Sequence, residues 1–217
     1  MDYDLKIVGG TIVDGSGNEG YRGDVGIKGG RVMALGGAMG DSGGEIGGEA
    51  VRTIDAGGLV VCPGFVDIHT HYDAQVLWDR MLTISPWHGV TTAVMGNCGF
   101  GVAPMRSRDR KDIMKTLEKV EGMSYAALEA GLGLDWPFES FPEYLGAVQN
   151  NGTAINLTAF IGHTPLRIYV MGDDAMEREA TEREVQAMAD IVREAMAAGA
   201  IGFSTSRAVT HNAFDGR

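Results

Sequence analysis

Cysteines, basic residues and long apolar runs are scarce in this chain, and each scarcity excludes something. Two cysteines, Cys62 and Cys98, in 217 residues cannot build a disulfide framework, and the expected setting is cytoplasmic, where thiols stay reduced. Lysine and arginine number 18 against 29 acids, a formal charge of −11. That sign disfavours nucleic acid and anionic membrane as partners and leaves small molecules as the expected ones. No apolar run reaches the roughly 20 residues of a membrane-spanning helix, yet 44% of residues are hydrophobic, enough for a sizeable core. The opening "MDYDLKIVGG" carries acids where a secretory signal carries bases, so no such signal is expected.

What is present changes texture near Pro63. Before it, "LKIVGGTIVDG", "DVGIKGGRVMALG" and "VRTIDAGGLVV" are short β-type runs between Gly-rich turns, which predicts a small all-β unit. Within it, Gly36 to Ala50 reads as a loop with little to bury. After Pro63, strand-like runs alternate with helical patterns: "GFVDIHTH", "GVTTAVMGNCG", "TAINLTAFIGH" and "GAIGFSTS". Thr181 with Glu184 forms a capping box ahead of an apolar stripe that Gly199 ends. Ser140 with Glu143 opens a shorter helix, and Ile113, Met114, Leu117 and Val120 mark a third. Such alternation implies a parallel sheet covered by helices, and a barrel or a doubly wound sheet both fit. No tight G-x-G-x-x-G follows a strand, which weakens a dinucleotide-binding reading. Four such strands are legible, whereas a (β/α)8 barrel takes eight strands in about 250 residues.

In "PGFVDIHTHYDA", residues two apart on an extended strand share a face, so Phe65, Asp67, His69 and His71 fall on one side and Val66, Ile68 and Thr70 on the other. Two imidazoles at the C-terminal end of such a strand can converge on one metal ion. Hydrogen-bonded core or loop histidines are the competing reading. Asp67 is placed beneath them, either orienting an imidazole or making an ordinary hydrogen bond. Cys98 ends the next strand in "GNCGFG", where a thiolate can ligate a metal or bridge two. Cys62 precedes its strand and is assigned to packing. His88 also precedes a strand and reads as structural. His163 lies at a strand's C-terminal end and is open between a substrate contact and a local cap. Arg207 can clamp a carboxylate or serve a salt bridge, and His211 falls in an expected loop. Lys6, Lys28, Lys111, Lys115 and Lys119 lie in the β unit or on a charged helix. None is expected to end a strand, which leaves Cys98 as the available bridge between metals.

Together, "PGFVDIHTHYDAQ", "HGVTTAVMGNCGFGVAP", "FIGHTPLR" and "EREVQAMADIVREAMAAGAIGFSTS" resemble the D-aminoacylase branch of the amidohydrolase superfamily, the N-acyl-D-amino-acid deacylases. The resemblance implies an α/β fold, part of a (β/α)8 metal-dependent hydrolase barrel over residues 63–217, preceded by a small β-sandwich segment over 1–62. It implies a centre of one or two zinc ions, with His69 and His71 at one metal position and Cys98 joining it to the second. In that chemistry a metal-activated water attacks an amide carbonyl and a late-strand aspartate is the general acid and base. That aspartate and two further histidines are expected beyond Arg217, so the chain is expected to be inactive alone. After "GFSTS" it reads "RAVTHNAFDGR", which departs from the family pattern and leaves specificity open. A cyclic-amide hydrolase of the dihydroorotase or hydantoinase kind is the second reading, disfavoured by the missing strand-end lysine. A non-catalytic module is the third.

Overall fold

The computed structural model describes residues 1–37 and 44–207, which form two compact units, Met1–Gly64 and a second beginning at Phe65. Among the described residues no helix is long and apolar enough to cross a membrane.

In the first unit β1 (Tyr3–Ile12), β2 (Tyr21–Lys28), β3 (Arg31–Leu35), β4 (Ala50–Asp55) and the short β5 (Val60–Val61) make one sheet of order β3-β2-β1-β4, with β5 also on β1. The β1–β2 and β2–β3 pairs are antiparallel, while β4 and β5 run parallel to β1. Backbone approaches backbone closely here. A Cβ on Gly23 would lie 1.9 Å from the Gly36 carbonyl oxygen, and one on Gly26 would lie 2.5 Å from the Tyr3 ring. Asp24 is buried between these segments. Its carboxylate accepts from the Gly9 and Ile46 amides at 2.9 and 3.2 Å, and its own amide donates to the Gly44 carbonyl at 2.8 Å. The predicted loop Gly36–Ala50 is therefore tied to the sheet at Gly44 and Ile46, and its residues 38–43 lie outside the described ones. Cys62 is exposed rather than packed, because it follows two-residue β5 where the sheet ends. Lys28 does end a strand, β2, but in this unit and not in the parallel sheet.

The second unit carries a parallel sheet, β6 (Phe65–Asp67), β7 (Val90–Met95), β8 (Asn156–Gly162) and β9 (Gly202–Ser204), in that order. The four strands read from the sequence are these four. Helices α1 (Arg110–Glu121), α2 (Tyr125–Leu132), α3 (Phe141–Asn151), α4 (His163–Met171) and α5 (Glu182–Ala198) lie between them in sequence. Both expected capping boxes form, at Ser140 with Glu143 and at Thr181 with Glu184, and Gly199 closes α5 in the left-handed region. Ala93, Val94 and Met95 are all buried, as suits a strand covered on both faces. The core joins Ala93 and Met95 to Ile113 and Leu117 of α1, Tyr144 of α3 and Leu166 of α4.

Strand β6 departs from expectation. It is only three residues long and lies at the end of the sheet order. Phe65 and Val66 are 59% and 57% exposed, so it is not the buried strand that its apolar sequence suggests. His69 and His71 lie past its end, in a segment without regular structure. Helices α2 and α4 were not expected. Pro165 lies in the first turn of α4, where proline is tolerated, and Gly162 is its cap.

Candidate metal centre

Beyond β6 the chain is fastened by its own polar groups. Asp67 Oδ1 accepts the His69 backbone amide at 3.2 Å, the ordinary hydrogen bond of the two roles considered for it. Thr70 is buried, and its amide and hydroxyl both donate to the Val94 carbonyl, at 3.0 and 2.8 Å. With Thr70 anchored on β7, the imidazoles of His69 and His71 stand together, their ring centroids 5.3 Å apart at 61°. The two rings stand side by side on an irregular segment anchored by Thr70, not by strand parity.

Cys98 arrives from the end of β7. The turn begins at Gly96 (φ 77°), and Cys98 itself adopts φ 57°, ψ 11°. Left-handed backbone costs a residue with a Cβ roughly 1–2 kcal/mol, so the turn must be held by its surroundings. The Asn97 side-chain amide donates to the Thr70 and Val94 carbonyls at 3.2 and 2.9 Å. Asp73 Oδ2 accepts the Gly96 amide at 3.0 Å. Ser204 Oγ accepts the Gly99 amide at 3.0 Å and donates to the Gly96 carbonyl. Gly162 lies against this turn, where a Cβ would come within 2.6 Å of the Phe100 carbonyl oxygen and 2.9 Å of that of Gly99.

Cys98 Sγ thereby lies 3.2 Å from His69 Nε2, and one donor atom from each of His69, His71 and Cys98 lies within 4.8 Å of the others. Tetrahedral zinc ligands at about 2.0–2.3 Å from the ion are roughly 3.3–3.8 Å from one another; the His69–Cys98 pair is near that spacing, and a side-chain rotation would close the remaining separations around one ion. Two imidazoles and a thiol also match zinc in softness. Burial pushes the Asp73 carboxyl up to about 7 against the opposing Gly96 bond. The Tyr144 hydroxyl donates to the Asp73 carbonyl at 3.0 Å, and burial raises that phenol well above its usual range.

His163, the first residue of α4, stands outside the three-donor cluster. Its Nδ1 lies 3.2 Å from Thr205 Oγ1 and its ring 5.7 Å from that of Phe203. Burial, then the Arg167 charge, holds its pKa below the usual imidazole value, which favours the neutral ring. Arg207 is exposed, two residues past Thr205. His88 is exposed in the 3-10 turn before β7, at the opposite end of that strand from Cys98. His211 lies outside the described residues. Asp73, Asn97, Gly162 and Ser204 escaped the sequence reading; Asp73 and Asn97 were legible only as polar neighbours of the motif residues.

Three potential metal donors are thus grouped after the C-terminal ends of β6 and β7 in a parallel α/β sheet, the end at which barrel enzymes carry their chemistry. The chain belongs to the amidohydrolase family, whose pattern matches residues 52–216. It is 40% identical over 204 residues to the D-aminoacylase of Alcaligenes xylosoxydans xylosoxydans, an alignment covering 94% of this chain and 37% of that protein. The mixed α/β fold resembles a D-aminoacylase crystal structure with a TM-score of 0.76 at 36% identity, over 94% of this chain and 38% of that one. It also resembles the N-acyl-D-glutamate deacylase of Bordetella bronchiseptica complexed with zinc and a phosphonate inhibitor, with a TM-score of 0.72 at 35% identity and the same coverage, 94% and 38%. The chain thus spans about 37% of the length of the curated relative.

Proposed function

We propose that this chain supplies part of the active site of a zinc-dependent amide hydrolase that deacylates N-acyl-D-amino acids, in a cytoplasmic setting. The observation that carries this reading is the convergence of His69, His71 and Cys98 within 4.8 Å. The D-aminoacylase and deacylase names of its relatives support the substrate class. In this reading the parallel sheet is an arc of a (β/α)8 barrel over residues 63–217, and the first unit, 1–62, is one layer of a β-sandwich.

His69 and His71 would hold one zinc through neutral ring nitrogens. Cys98 would join as thiolate, with lone pairs to spare for a second ion. An ion held there supplies Lewis acidity toward the amide carbonyl and makes water nucleophilic near neutral pH. Arg207 offers a planar fork for the substrate carboxylate, and neutral His163 a hydrogen-bonding ring beside it.

Zinc titrated into the chain should bind, and alanine at His69, His71 or Cys98 should weaken binding at least about 10-fold. Unchanged binding in all three variants would overturn the site. In a metal-loaded version of full family length, release of the free D-amino acid from N-acetyl substrates should exceed that from L-isomers, while this chain alone should release none. Faster opening of hydantoins would favour the cyclic-amide reading instead.

A further inference from the structure

The turn that presents Cys98 is gripped at both ends by one side chain from another strand. Ser204, the last residue of β9, is paired with Gly162 of β8 in the sheet register. Its hydroxyl donates to the Gly96 carbonyl and accepts the Gly99 amide at 3.0 Å. A hydroxyl has one proton to give and lone pairs to receive, so a single Oγ serves both ends of the turn. The backbone also closes across Cys98, the Phe100 amide donating to the Asn97 carbonyl at 3.0 Å, but the other side-chain fastenings act on one side alone. Asp73 takes the Gly96 amide, and Asn97 ties itself back to Thr70 and Val94. Among these side-chain bonds, those of Ser204 span Cys98.

We propose that Ser204 is a positioning residue for the Cys98 thiolate: by closing the turn from Gly96 to Gly99 it holds Sγ toward His69 and so sets metal affinity. The inference rests on the metal reading above. It assigns a role to a residue 106 positions from its thiol, as their numbers give. Without the hydroxyl the turn keeps the Asp73 and Asn97 fastenings and the Phe100 amide bond to the Asn97 carbonyl, but loses the tie from Gly96 and Gly99 to β9 that opposes relaxation of the left-handed Cys98.

Cobalt(II) is the probe, because thiolate ligation gives a sulfur-to-cobalt charge-transfer band in the near ultraviolet. In the full chain, Ser204→Ala should keep its circular dichroism, bind cobalt about 10-fold more weakly, as expected for groups that orient a ligand, and lose or shift the band. Ser204→Thr, which keeps the hydroxyl, should restore both. Unchanged band and affinity in Ser204→Ala would overturn the positioning role, and so would loss of fold in that variant, since the hydroxyl would then serve the fold itself. A wild-type chain with no band, or a band that survives Cys98→Ala, would instead remove the metal reading. The two failures are thus distinguishable.

Discussion

In the Met1–Gly64 unit, Ile12, Val25 and Ala56 are the buried apolar residues among those described, whereas the β/α unit buries Tyr144, Ile161, Leu166 and Met95 to 1% exposure or less. The first unit closes on backbone: Gly23 against Gly36, and Asp24 taking amides from both sides. The second closes on side chains. A fold held by glycine contacts is limited by what cannot be added to it, and one held by a filled core by what cannot be taken away.

Removing volume from the β/α unit should have the largest effect. Tyr144→Ala deletes a ring packed against Phe138 at 5.2 Å and a hydroxyl bonded to the Asp73 carbonyl. Its cost should be about 4 kcal/mol, read by urea unfolding; under about 1 kcal/mol would break the contrast. Adding one carbon to the first unit comes next. Gly23→Ala drives a Cβ toward a backbone oxygen that cannot rotate away, and should cost about 2 kcal/mol. Hydrogen exchange should show the loss in β1 and β2, and a neutral result would mean that this sheet is not backbone-limited.

The smallest effect lies on the surface of the β/α unit. Arg178 bonds Glu184 at 2.7 Å and Asp174 at 2.9 Å. That fork, with the Thr181 amide, holds the Glu184 carboxyl well below its usual range. A depressed carboxyl stabilises the fold above its unfolded value of about 4.3 and stops doing so as pH falls toward its folded value. Tm should therefore fall between pH 6 and pH 3, and fall less in Arg178→Ala. Because the pair is exposed, salt should shrink the difference. Equal slopes in the two proteins would remove the pair from the account.

Both capping boxes and all four parallel strands were legible because caps and apolar runs are local signals. Helix α4 was not, since it starts at His163 directly after β8 with no side-chain cap to signal it. The candidate site was legible in its donors, His69, His71 and Cys98, but not in its cause. Strand parity was the reason to expect convergence, and β6 stops at Asp67. What brings the imidazoles together is Thr70 on Val94 and the turn after Met95, contacts across 24 residues or more. No local pattern encodes those. The exposure of Cys62 was missed for a related reason: a cysteine's burial is decided by what covers it, and after β5 nothing does among the described residues.

The left-handed backbone at Cys98 also acts as a filter on substitution. Serine, the usual size match, gives up the soft sulfur and gains no ease in that conformation. Aspartate and histidine are the metal donors that enter left-handed backbone most readily. Natural replacement at this position should therefore run toward a carboxylate or an imidazole, exchanging one kind of metal chemistry for another while the chain path stays the same.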